Sequence, residues 1–426
     1  MLKYIINKIK SKYVFYYYHF KKRNVYYSDE CIESIFRKRN EQIILERIKR
    51  KKCVNVAFFC MAVPLFRYET IVRHMLMDPY FNPIIFIAPR NGDWLNRLKE
   101  IKDIEQYCKK KSFPYVSLKN NILNIGQDIT KYDIDIAFYS QPYTAVCCQE
   151  YYYDKLRNAL LCYIPYGYLI SYMKHNYASI LNLIAWKNYL PTDVSVKIAL
   201  EFNPDYKTVF FEGYPGYDMY NQCKPYEWKC KNLKRVIWAP HHSVQSSGWL
   251  HLSCFLDIYD DMLKLACKYK KQIQFVFKPH PHLYTALLSV WGREKTDSYY
   301  ELWRTMDNTT IENGDSYPIF KSSDALIHDC GSFLLDYMYC QKPCLYVSLT
   351  GKLNVDTAQD GIDAYEAHYH AYIKKDIDDF IENVVIKGID TMKSQRMTVL
   401  NKYILPNHGN SATENILNDI KSSLIR

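Results

Sequence analysis

Short apolar runs rich in β-branched and aromatic residues recur along the chain, separated by segments whose apolar positions fall at helical spacing. In the first half, VNVAFFC (54–60), PIIFIAP (83–89), DIAFYSQ (135–141), LLCYIP (160–165) and TVFFEGYP (208–215) predict strands. Between them, YETIVRHMLM (68–77) and WLNRLKEIKDIEQYCKKK (94–111) predict helices with charged outer faces. A polar, Lys-rich stretch, NQCKPYEWKCKNLKR (221–235), predicts a linker, after which the pattern restarts. RVIWAP (235–240), QIQFVFKP (272–279), DALIHD (324–329) and PCLYVS (343–348) predict strands. FLDIYDDMLKLACKYKK (255–271) and GSFLLDYMYCQ (331–341) predict helices, and the chain from Asp376 onward reads as mostly helical. Such alternation marks βαβ units and parallel sheets. It predicts an α/β protein with two Rossmann-like domains facing across a cleft, at 53–222 and 233–426, preceded by a separate segment, 1–52.

That first segment opens MLKYIINKIKSKYVFYYYHFKKR, which alternates Lys with Ile, Tyr and Phe and lacks the unbroken apolar core of a secretory signal. As a helix it has one basic and one aromatic-aliphatic face, a pattern that suits an anionic lipid surface or packing on the body. CVNVAFFCMAVPLF (53–66) is shorter than the ~20 residues a bilayer-spanning helix needs and contains Asn55 and Pro64. A buried strand running into a loop is expected there.

Composition narrows the class without choosing a function. With 48% hydrophobic and 24% charged residues among 426, the chain is neither disordered nor collagen-like and is long enough for two or three cores. The net charge of +11 favours an anionic partner: nucleic acid, lipid or a phosphorylated substrate. Most of the 14 Cys sit inside apolar runs, and no spaced CxxC pair or CxxC…HxxxH pattern occurs. A reduced, cytosolic protein with no zinc site is expected.

Candidate chemistry gathers at the carboxyl ends of strands in the second half, where open α/β sheets bind ligands. WAPHHSV (238–244) puts His241, His242 and Ser243 after a strand, as anion contacts or proton carriers. KPHPHL (278–283) offers Lys278, His280 and His282, with prolines expected to hold the backbone extended and both imidazoles on one side. A cation and two imidazoles suit a pyrophosphate better than a metal, which would need more ligands. In SSDALIHDCGSFLLDYMYCQKPCLYV (322–347), a strand enters the turn Asp329-Cys330-Gly331-Ser332 and then a helix. Gly331 is expected to allow close approach of a ligand, and Ser332 to cap a helix whose N-terminus faces a phosphate, with Asp336 one turn on. P-loop, dinucleotide and G-x-S-x-G fingerprints do not occur.

These segments resemble the CDP-glycerol glycerophosphotransferase family, which includes the teichoic-acid primases and polymerases. Its signature, close to S-D-x-L-I-T-D-Y-S-S-x-x-F-D-Y, is matched by SDALIHDCGSFLLDY (323–337) at Ser323, Asp324, Leu326, Ile327, Asp329, Ser332, Asp336 and Tyr337. GYPGYD (213–218) looks like the family's Gly-Tyr-Pro-x-x-Asp segment, and the similarity in order and spacing runs from about residue 54 to 350. The resemblance implies a GT-B-like fold, with an acceptor domain followed by a nucleotide-donor domain. It implies attack by an acceptor hydroxyl on the phosphorus bearing glycerol, with CMP leaving. Two departures stand out. Tyr166, before Gly167 in YIPYGYL, occupies the place of a first-domain His that serves as base in the family, and Pro240-His241-His242-Ser243 replaces a P-T-W-R motif.

The expected enzyme is therefore a transferase moving a polyol phosphate from a CDP-activated donor to a membrane-linked glycan or polymer acceptor. Ser243, Lys278, His280, His282, Asp329, Gly331, Ser332 and Asp336 are expected to hold the donor, with Asp329 orienting a His or binding a donor hydroxyl. His241 or His242 is expected to take the acceptor's proton, with Tyr166 and Gly167 on the acceptor side. No cofactor or resident metal is expected, and no nucleic-acid partner. The expected location is cytoplasmic, at the inner face of the membrane, held peripherally by the basic first segment. Two alternatives are a GT-B glycosyltransferase using a nucleotide-sugar and a non-catalytic basic protein binding membrane or nucleic acid.

Overall fold

The structure is a computed structural model, described at residues 29–89, 94–117, 127–142, 151–230, 232–244, 252–351, 353, 356–406 and 409–425. The first half forms a seven-stranded sheet from β1 (Val54–Cys60), β2 (Phe81–Ile87), β3 (Tyr115–Val116), β4 (Ile136–Tyr139), β5 (Leu160–Tyr163), β6 (Lys187–Tyr189) and β7 (Val209–Phe210). All pairings are parallel, in the order β3-β2-β1-β4-β5-β6-β7. The second half repeats the plan with β8 (Lys234–Ala239), β9 (Ile273–Phe277), β10 (Thr309–Ile311), β11 (Ala325–His328), β12 (Cys344–Val347) and β13 (Tyr369–Ala371). These too are parallel, ordered β10-β9-β8-β11-β12-β13. In each sheet the strand order reverses beside the first strand, which opens a crevice at the carboxyl edge.

The strands read as unbroken apolar runs because helices cover both faces of the sheets. In the second unit Trp238 of β8 stacks on Phe277 of β9 at 5.0 Å and on Phe255 of the helix Phe255–Lys268 at 5.6 Å. Every residue of β9, β11 and β12 is buried. Among the described residues no helix is long and apolar enough to cross a membrane.

Several expected boundaries move for identifiable reasons. The run 208–215 yields only the two residues of β7, because Pro215 opens a helix, Pro215–Gln222, at a position where its missing N–H costs nothing. The expected helix 331–341 divides into Phe333–Asp336 and a 3-10 turn, Tyr337–Cys340, which ends at Gln341 with φ 54°. β6 escapes the pattern because it is the polar tripeptide KNY; its buried Lys187 is paired with Asp419 at 2.6 Å.

Of the segment 1–52, residues 1–28 lie outside the described residues. The rest is not a free amphipathic helix. The helices Asp29–Arg37 and Glu41–Lys49 bury Ile32, Phe36, Ile44 and Ile48, and Arg47 and Lys51 reach the fully buried Asp135 at 3.0 and 2.8 Å. At the other end, the helix Ala412–Leu424 returns to the first unit. Asp419 there accepts from Lys187 and Tyr189, both at 2.6 Å, and Thr413 bonds Asp218 and Thr70 at 2.6 and 2.7 Å.

A strap also joins the units. Ile170 O accepts from Ala358 N at 2.7 Å, Tyr172 N donates to Asp356 O at 2.8 Å, and Ser171 bridges Thr357. Ile170 is wedged against two glycines of the second unit. A Cβ on Gly331 would lie 2.8 Å from Ile170 Cδ1, and one on Gly361 3.0 Å from Ile170 Cβ.

Candidate active site

The two carboxyl edges face each other across a cleft of about 610 Å³. Each neighbouring strand contributes its following loop: Arg67 after β1, Tyr166 to Ser171 after β5, His241 and His242 after β8, Lys278 to Pro281 after β9, Gly314 and Ser316 after β10, and Cys330 to Phe333 with Asp336 after β11. The sheet topology thus gathers residues far apart in sequence into one pocket lined from both units, as expected for a doubly wound pair.

Three imidazoles dominate the second-unit wall. The three rings pack in a triangle, with centroids of His242 4.2 and 4.1 Å from those of His241 and His280, and His241 to His280 at 5.0 Å. Hydrogen bonds assign the tautomer of two of them. Ser243 Oγ accepts from Leu252 N at 3.0 Å and Ser253 N at 3.2 Å, which leaves its proton for His241 Nδ1, 2.9 Å away. The Ser243 backbone N–H also points at that Nδ1, at 3.3 Å. His280 Nδ1 likewise accepts a backbone N–H, from His282 at 3.1 Å. With both Nδ1 atoms accepting, the neutral rings carry their protons on Nε2.

Burial, and next the neighbouring His242 and His282, depress His241 to about 3; burial and then His282 depress His242 to about 4. His241 and His242 are therefore neutral at ordinary pH, and the wall offers N–H donors. Lys278 is buried beneath them with Nζ donating to Gly314 O at 2.6 Å, and burial lowers its pKa. Nitrogens of His241, His242 and His280 come within 4.8 Å of one another, a spacing a metal could exploit. The donor set fits an anion better. Ligating rings radiate from an ion and usually donate their other N–H to an oxygen, whereas these rings overlap and accept on Nδ1.

The structure re-sorts the sequence candidates. His241, His242, Lys278, His280, Gly331, Ser332 and Asp336 line the cleft from one side, and Tyr166 and Gly167 line it from the other. Ser243, His282 and Asp329 are not among the lining residues. Ser243 fixes the His241 ring. Asp329 orients no imidazole: its carboxylate accepts the backbone N–H groups of His241 and Cys254, at 2.5 and 2.8 Å, tying the β8 loop to the helix that follows. Burial lifts that carboxyl to about 7. The prolines of KPHPHL do not keep it extended; His282 is αR at φ −91° and ψ −4°, and Leu283 N closes a turn on His280 O at 2.8 Å.

Ser332 is αR and makes no capping bond, and the helix after it has only four residues, so the expected capped phosphate-binding terminus is not formed. Gly331 answers first to Ile170 of the strap.

Reading by motif passed over Arg67 and His175, both of which line the cleft from the first unit. Arg67 is buried, paired with Asp315 at 3.1 Å and 4.3 Å over the Tyr317 ring, so it bridges the two units. Asp336 faces this group; burial lifts it to about 6 against the pull of Arg67. The only sequence signal for Arg67 was its place just beyond β1.

A family model described as CDP-Glycerol:Poly(glycerophosphate) glycerophosphotransferase matches residues 191–422, over half of the chain. The chain belongs to this family. It is an enzyme, a transferase of glycerol phosphate from CDP-glycerol. Solved structures agree on the fold, which is GT-B-like. The S. aureus MnaA–UDP co-structure is 14% identical, with TM-score 0.56 over 88% of this chain and 98% of that one. UDP-GlcNAc 2-epimerase from Neisseria meningitidis bound to UDP-GlcNAc is 14% identical, with TM-score 0.55 over 87% and 99%. A variant of the wall teichoic acid polymerase TagF is 13% identical, with TM-score 0.53 over 99% of each chain. No curated protein matches the chain.

Proposed function

We propose that the imidazole wall binds the pyrophosphate of the CDP-linked donor and that the first-unit wall receives the acceptor hydroxyl. The observation that carries this is the row His241, His242 and His280, backed by Lys278, at the carboxyl ends of adjacent strands. Neutral N–H donors in a half-dry cleft pair with phosphate oxygens without the cost of burying several separate cations. Ser332 and the backbone beside Gly331 would close the donor site, while Ser243 and Asp329 act as positioning residues for the β8 loop. Residues 53–222 are assigned the acceptor side and 233–426 the donor side, with the last helix docked on the acceptor unit.

In the reaction, the acceptor oxygen forms a bond to the phosphorus bearing glycerol. The bond from that phosphorus to the bridging oxygen breaks, and CMP leaves with the electron pair. Charge spread over the equatorial oxygens in the transition state is met by the preformed donors, which is where most of the rate enhancement of phosphoryl transfer resides. The acceptor is proposed to be membrane-linked, with the basic residues before Asp29 holding the enzyme at the anionic inner face. Full-length protein incubated with CDP-glycerol and a short poly(glycerol phosphate) acceptor should release CMP, and vesicles containing anionic lipid should retain it at low salt. Release of a nucleoside diphosphate from a nucleotide-sugar, with none of CMP from CDP-glycerol, would replace this reading by the glycosyltransferase one.

A further inference from the structure

Phosphoryl transfer to a hydroxyl needs a proton acceptor on the acceptor side, and the second-unit wall is ill suited to supply it. His241 and His280 each spend the Nδ1 lone pair on a backbone N–H and carry a proton on Nε2, so neither has a lone pair for an incoming hydroxyl. His242 packs against both rings, 4.2 and 4.1 Å away, on the wall where a bound pyrophosphate would lie, and burial depresses it to about 4.

Across the cleft, among the described residues, the first unit contributes one imidazole, that of His175. It sits on the short helix Lys174–Tyr177, exposed to solvent. The segment carrying it is fixed on both sides. Asn176 is buried and donates to Ser171 Oγ at 2.8 Å, and Tyr177 OH donates to Leu169 O at 2.6 Å. Ser171 is bridged to Thr357 of the second unit, so the strap that joins the units also sets the distance between His175 and the donor wall.

We infer that His175 is the general base, taking the proton of the acceptor hydroxyl as its oxygen bonds to the donor phosphorus and passing it to solvent after CMP leaves. This rests on the donor reading above and adds to it the residue that activates the nucleophile, in place of His241 or His242. General-base catalysis contributes about 10²- to 10⁴-fold. His175→Gln should therefore lower acceptor-dependent CMP release by that factor while calorimetric affinity for CDP-glycerol stays within about threefold. Added imidazole should partly restore His175→Ala. A His175→Gln enzyme retaining more than about a third of wild-type turnover, or losing donor affinity in proportion to rate, overturns the assignment. Wild-type protein that neither binds nor turns over CDP-glycerol overturns instead the donor reading beneath it.

Discussion

The two walls of the cleft are built by the same sheet plan and are proposed to do different work. The second-unit wall is internally bonded: three imidazoles pack against one another, the Nδ1 atoms of His241 and His280 are tied to backbone, and Asp329 and Ser243 clamp the loop that carries two of the rings. The first-unit wall pairs the buried Arg67 with exposed side chains, Tyr166 and His175, and the segment carrying His175 owes its place to the strap across the units. A fixed array of donors suits a ligand of fixed geometry, the pyrophosphate. An open wall suits an acceptor that arrives and leaves at every cycle. Polarity of residue type alone would not separate these roles; which nitrogen holds the proton does.

The largest expected effect falls on the rigid wall. His280→Ala removes one preformed donor and should cut CMP release about 10²- to 10³-fold, read in a coupled CMP assay. Loss of less than about threefold would place the phosphate elsewhere. Next comes the strap. Gly331→Ala drives a Cβ to within 2.8 Å of Ile170 and should cost about 1–3 kcal/mol in urea unfolding, much of it recovered in Gly331→Ala/Ile170→Ala. Additive losses in the pair would break the coupling between strap and donor loop.

A third effect is on pH dependence. His328 is fully buried on β11 beside the donor loop, and burial depresses it to about 3. A depressed histidine stabilises the fold fully above its unfolded value near 6.5 and loses that contribution as pH falls toward 3. His328→Asn should therefore flatten the stability-versus-pH curve by about 1.4 kcal/mol per pH unit between pH 6 and 4. An unchanged slope would show that the ring is not buried neutral. The smallest effect is expected at Tyr166→Phe, within about threefold of wild type, since the side chain is 36% exposed and the proton is assigned to His175.

Much of the fold was legible because parallel strands covered on both faces must be continuous apolar runs; β1, β8, β9, β11 and β12 fall within about two residues of their expected places. Strands that interrupt the code with polar residues, such as β6, were not. The family signature was legible as a string, but its residues divide in space. Ser323 bonds Tyr337 at 2.7 Å and Asp324 accepts from Arg235 N at 2.8 Å, so these matches tie the start of β11 to the turn after it and to β8. Gly331, Ser332 and Asp336 reach the cleft. His241, His242 and His280 were found because imidazoles at strand ends are rare in a core. His175 and Arg67 were not, because their place in the site depends on how the two units are apposed, which no local pattern records. The tautomers depend on loop hydrogen bonds of the same non-local kind.

The central claim is that the second-unit imidazoles hold the donor while the first-unit wall serves the acceptor. Calorimetric titration of the full-length protein with CDP-glycerol alone tests it most directly. His280→Ala should weaken donor affinity by at least tenfold, about 1.4 kcal/mol, while His175→Gln and Tyr166→Phe leave it within threefold. Equal affinity in His280→Ala and wild type, or a loss confined to the first-unit variants, would contradict it.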